Sequence, residues 1–147
     1  MKLTIAALLS TLPILGLGAT STTPIPPGPP IIGTWTFTLP NGCIERHTFD
    51  ANGRMSGTSG QEYVEEDYTL SAGPDASGFY TLTGLTLKDT GGPDCGDSSE
   101  DHTGKSWTVY VRFSKDRQKY LSCAEATMEH CWGPYHRIQP PPAPRTP

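Results

Sequence analysis

Glu45 and His47 stand two positions apart in the run Ile44–Asp50, on the same face as Phe49. A carboxylate beside an imidazole can move a proton near neutral pH, and inside a cup the same two groups can orient a ligand by hydrogen bonding. The plainer expectation for two polar groups on an apolar face is a mutually satisfied pair. A second concentration falls between Asp89 and Lys105, where Asp94, Asp97, Glu100, Asp101 and His102 are spaced along one segment. Carboxylates at that density attract calcium, but their spacing is not that of an EF-hand loop. A solvated acidic loop is expected there, with no metal and no cofactor. The chain carries no hydrolase elbow, no zinc-protease helix and no phosphate-cradling glycine loop. No catalytic residue is assigned, and nothing in the chain demands an enzyme.

The four cysteines, Cys43, Cys95, Cys123 and Cys131, contain no Cys-x-x-Cys pair, so disulfides are expected in preference to zinc. The N-terminus supports that expectation. Lys2, the apolar run Leu3–Leu17 and the small residues Gly16, Gly18 and Ala19 follow the order of a secretory signal peptide over residues 1–19. Pro13 interrupts that run, which already falls short of the ~20 apolar residues that cross a bilayer. A secreted or periplasmic location follows. The formal net charge is −4, and loss of Lys2 with the signal leaves the mature chain more acidic. Nucleic acid and anionic membrane surfaces are therefore poor partners.

These residues need a scaffold to hold them. Two proline-rich segments, an N-terminal arm over 20–30 and a tail over 139–147, flank one domain at 31–138. The arms are spacers or docking segments for a protein partner. Helical periodicity is nearly absent from the domain. Alternating β-branched and aromatic residues predict strands at Ile32–Leu39, Ile44–Asp50, Arg54–Thr58, Tyr63–Ser71, Phe79–Lys88, Ser106–Ser114, Lys119–Cys123 and Trp132–Ile138. The turns "PNG" at 40–42 and "ANG" at 51–53 suit tight hairpins. Eight short strands joined mainly by hairpins predict an all-β, up-and-down antiparallel barrel, because closure removes both exposed edges. A bulge at Gly84 is expected to bring Tyr80, Leu82, Leu85 and Leu87 to the inner face together.

The triplet Gly33-Thr34-Trp35 at the first strand, with Arg137 on the last, resembles the lipocalin-like barrels of the calycin superfamily. The resemblance implies that Trp35 seals one end of the barrel beneath the Arg137 guanidinium, with Gly33 allowing close approach. It also implies a lumen that takes a small apolar ligand. Alternate up and down turns place all four cysteines at the opposite rim. Cys43–Cys95 with Cys123–Cys131 is the favoured pairing, and Cys95–Cys123 with Cys43–Cys131 stays open because closure makes the end strands neighbours.

An eight-stranded barrel is just wide enough to be filled by its own side chains or to hold one small molecule. The residues expected to line it and meet a ligand are Phe37, Phe49, Tyr68, Tyr80, Leu82, Val109, Tyr135 and His47. Met55, Leu85 and Val111 are expected beside them. The alternative is a self-filled barrel that binds a protein. Secreted inhibitors of bacterial metalloproteases are similar in using a small meander barrel with an early Gly-x-Trp, although the prolines of the arm suit their inserted strand poorly.

Overall fold

The computed structural model describes residues 28–139. The expected signal peptide and most of both proline-rich segments lie outside them. Eight strands follow one another: β1 Gly33–Thr38, β2 Ile44–Phe49, β3 Arg54–Ser59, β4 Glu62–Leu70, β5 Tyr80–Asp89, β6 Ser106–Phe113, β7 Lys119–Cys123 and β8 Cys131–Arg137. Each pairs antiparallel with its neighbours, and β1 pairs with β8, so the sheet is the expected closed up-and-down barrel. No backbone edge is left to template aggregation.

The floor is built by the early triplet and the last strand. Trp35 is fully buried, and its indole N–H donates to the Ile31 carbonyl at 2.7 Å, so the ring stays inside with its polar atom satisfied. The Arg137 guanidinium lies 4.1 Å from the Trp35 ring centroid. Its nitrogens donate to the carbonyls of Ile32 at 2.5 Å, Pro30 at 2.6 Å and Arg117 at 3.0 Å. Gly33 makes this possible. Its φ is 127°, and a Cβ there would sit 2.6 Å from Arg137 Nη1.

Above the floor the lower lumen is solid. Trp35 meets Tyr120 edge-on at 4.9 Å, Tyr120 stacks on Tyr135 at 4.7 Å, and Phe113 packs on Tyr80 at 5.5 Å. Offset and edge-on aromatic pairs of this kind fill space densely and add roughly 0.5–1.5 kcal/mol each beyond burial.

At the other end both disulfides staple the rim. Cys43 joins Cys95, and Cys123 joins Cys131, the favoured pairing. The crosswise alternative is excluded. Such bonds belong to proteins that mature in oxidising surroundings.

The bulge is not where the glycine suggested. Gly84 keeps regular register, opposite Tyr68 on one side and Trp107 on the other. The irregularity lies where Glu65 faces Lys88 and Glu66 faces Thr86, leaving Leu87 as the extra residue. Alternation therefore continues through Leu82, Gly84 and Thr86 on the inner face. Leu85 and Leu87, expected inside, are exposed. Gly84 serves a different purpose, since a Cβ there would come within 2.2 Å of Trp107 Cζ2. The missing side chain is what lets the indole lie across β5.

Candidate functional site

The upper half of the lumen stays open as a cavity of about 410 Å³. One wall is apolar, formed by Phe49, Met55, Val64, Leu82, Val109 and Trp107. Toward the mouth the lining becomes polar and mostly acidic, through Glu62, Glu66, Asp89 and Asp94 with His102 and Lys105. The long segment after β5 supplies Asp94, His102 and Lys105, so it forms part of the site instead of hanging in solvent. It is anchored over the mouth from several sides. Gln61 N–H donates to Pro93 O at 2.8 Å, Cys95 N–H to Ser59 Oγ at 2.9 Å, and Asn41 Nδ2 to Cys95 O at 3.0 Å. The Cys43–Cys95 bond makes that anchoring covalent.

Of the residues expected to meet a ligand, His47, Phe49, Leu82 and Val109 border the cavity. Phe37, Tyr68, Tyr80 and Tyr135 do not. Phe37 packs on Tyr135 at 5.3 Å, Tyr80 packs on Phe113, and Tyr68 packs on Phe49 while its hydroxyl donates to Asp50 O at 2.5 Å. These four build the aromatic plug beneath the cavity and its flank.

Glu45 and His47 both face inward but do not pair. Tyr135 Oη donates to Glu45 Oε2 at 2.6 Å, and Ser59 Oγ reaches Glu45 Oε1 at 3.4 Å. His47 Nδ1 and Tyr120 Oη share a long hydrogen bond of 3.4 Å, and the imidazole stacks on Tyr135 at 5.1 Å. Burial pushes the His47 pKa below its ordinary value, and the Glu45 charge only partly opposes this. Burial, aided by Glu45, also drives the Tyr120 and Tyr135 hydroxyls upward, so both stay protonated. The group is thus a hydrogen-bonded network seated on the plug. It lacks the aligned carboxylate–imidazole contact of a proton relay.

The sequence reading passed over Glu66, Thr86 and Asp89. Glu66 and Thr86 are buried, and Thr86 Oγ1 donates to Glu66 Oε1 at 3.0 Å. Desolvation raises the Glu66 carboxyl above the usual range, against the pull of the Thr86 hydroxyl and the Trp107 indole. Trp107 Nε1 is itself enclosed and completes no hydrogen bond with a described residue, though it is near enough to act on Glu66. Asp89 owes its place to the bulge. Strict alternation would turn Lys88 inward, whereas the extra residue brings Asp89 opposite Val64 on the inner face. Burial works against the Asp89 carboxylate, but the N–H groups of Gly91 and His102 and the His102 ring outweigh it and hold its pKa low. One signal for Glu66 was available, because it shares the strand phase of Tyr68 in "EYVEEDYTL".

Glu62, Asp89 and His102 bring one possible ligand atom each to within 4.8 Å of one another. Asp89 and His102 are already engaged. Asp89 accepts from Gly91 N–H at 2.8 Å and His102 N–H at 2.9 Å and lies 3.3 Å from His102 Nδ1. The trio is better described as the hydrogen-bonded lip of the cavity.

No known protein family matches this chain, and neither a curated protein nor a solved structure shows significant similarity to it. The functional reading therefore rests on the cavity itself.

Proposed function

We propose that this chain is an exported, lipocalin-like binding barrel that carries one small, largely apolar molecule in the upper half of its lumen. The supporting observation is the cavity of about 410 Å³ with an apolar wall and a polar mouth, within the ~300–1,000 Å³ typical of small-molecule sites. A barrel devoted only to presenting its outer surface gains nothing from leaving such a space, since filling it with larger side chains would add packing energy. The signal-peptide pattern and the two disulfides support export. The Gly33–Trp35–Arg137 floor is the feature that supports kinship with lipocalin-like barrels.

The test uses a neutral apolar fluorophore, N-phenylnaphthylamine, titrated into the oxidised protein. One saturable site with enhanced emission is expected, and Val109→Phe, which reaches into the cavity, should weaken it. Emission that rises linearly without saturation, or a site untouched by that substitution, overturns the proposal and leaves a self-filled interaction barrel in its place.

A further inference from the structure

We propose that the ligand is a small organic cation, an amine on an apolar body, whose ammonium is received by Glu66; this rests on the binding-barrel reading above.

Glu66 is only 7 % exposed and borders the cavity, yet none of the described cationic side chains forms an ion pair with it. Its described partner is the neutral Thr86 hydroxyl, and no described residue donates a hydrogen bond to its second oxygen. The basic groups of the mouth are occupied elsewhere. Lys105 Nζ pairs with Glu100, and His102 lies between Asp89 and Glu100 at 3.3 Å and 3.8 Å. A desolvated carboxylate without a counter-charge is costly, and structures that retain one commonly bring the partner from outside.

Two independent features point the same way. The bulge in β5 rejects an ammonium from the lining: Lys88 turns outward, 3.8 Å from Glu65, and Asp89 takes the inner position. The site is therefore made more acidic by a backbone irregularity that costs ladder hydrogen bonds. The second feature is the enclosed Trp107 Nε1, which completes no hydrogen bond with a described residue and lies close enough to Glu66 to favour its charged form. A buried donor and a carboxylate with one described hydrogen bond, close together, can both be completed by one incoming polar group. An ammonium would meet the carboxylate, and a neighbouring oxygen or water would take the indole N–H. The apolar wall of Phe49, Leu82 and Val109 then accepts the rest of the molecule. With four carboxylates against one lysine, Lys105, and His102 in its lining, the cavity keeps a negative balance that disfavours anions.

The test compares three ligands of matched size in the oxidised, full-length mature protein by calorimetry at neutral pH: phenethylamine, phenethyl alcohol and hydrocinnamate. The amine is expected to bind about tenfold or more tightly than the alcohol, as a buried charge-assisted hydrogen bond implies, and the acid least. Glu66→Gln should remove the amine's advantage over the alcohol. Equal affinities for amine and alcohol, or a preference that survives Glu66→Gln, overturn the cation assignment. The comparison on the unaltered protein decides even if that variant fails to fold. If N-phenylnaphthylamine binds while the amine is not preferred, only the cation inference falls. If neither the fluorophore nor any of the three binds, the cavity reading falls with it.

Discussion

Replacing Arg137 by methionine removes the cationic head and keeps a stem able to cover Trp35. Three charge-assisted hydrogen bonds, to Ile32, Pro30 and Arg117, are lost together with the contact over the indole. Arg137 is only partly buried, so each bond is discounted for solvent screening to about 1 kcal/mol, below the charge-assisted range. The ring contact adds about 1 kcal/mol. The expected cost is about 4 kcal/mol, which at a urea slope of about 1–3 kcal/mol per molar lowers the unfolding midpoint by more than a molar. Gly33→Ala damages the same contact from the other side, because its Cβ would stand 2.6 Å from Arg137 Nη1 at a φ of 127°. In the Arg137→Met background that collision is gone, and only backbone strain of roughly 1–2 kcal/mol remains. The two substitutions should therefore be markedly less than additive. Equilibrium urea unfolding of the oxidised protein, followed by tryptophan fluorescence, measures all four corners of the cycle. A cost below about 1 kcal/mol for Arg137→Met, or strict additivity, would refute the claim that Gly33 exists to admit the guanidinium.

Five further outcomes follow from the same geometry. Gly84→Ala should displace the Trp107 ring, which lies 2.2 Å from the added carbon, at a cost of about 1–3 kcal/mol and with weakened fluorophore binding. Replacing both Cys43 and Cys95 by serine opens a covalent loop with a sequence separation of 52 and should cost about 4 kcal/mol in urea unfolding. The Cys123–Cys131 loop, with a separation of 8, should cost less, about 2.5 kcal/mol. His47 has its folded-state pKa below the ordinary 6.5, so the unfolded chain takes up its proton first. Its contribution is complete above pH 6.5 and is lost as the pH falls toward the folded value; His47→Gln should flatten that part of a melting-temperature profile. Glu66 has the opposite sign. Its raised pKa makes the ionised form a burden on the fold, so Glu66→Gln should melt higher at neutral pH and lose the advantage as acid protonates the native carboxyl.

The scaffold was legible because its signals are local. Period-two alternation in "GTWTFT" and "SWTVYVRF", with Asn-Gly turns between strands, brought every strand to within about a residue of its place. Which turns point up placed all four cysteines at one rim but left two pairings open, and the structure has the favoured one. The floor was implied by the resemblance that Gly33, Trp35 and Arg137 carry, not by alternation. The site was less legible, for two physical reasons. A glycine in a strand reads as a bulge, but Gly84 is there to clear space for an indole on the neighbouring strand, which only cross-strand register reveals. Charged residues in strands read as solvent-facing, and a bulge one turn later exchanged Lys88 for Asp89 on the inner face. The division of the lumen into an aromatic plug and an open upper half depends on stacking between Tyr120 and Tyr135 from different strands, which alternation cannot express.

The three tryptophans offer one decisive readout. Trp35 Nε1 is bound to Ile31 O in the floor, Trp107 borders the cavity, and Trp132 is 51 % exposed on the outer surface. In a proton–nitrogen correlation spectrum each indole N–H gives its own signal, assignable by single phenylalanine replacements. Titration with phenethylamine is predicted to move the Trp107 signal with saturation and to leave those of Trp35 and Trp132 in place. A shift confined to Trp132, or none at Trp107 under saturating ligand, would contradict a binding cavity in the upper lumen.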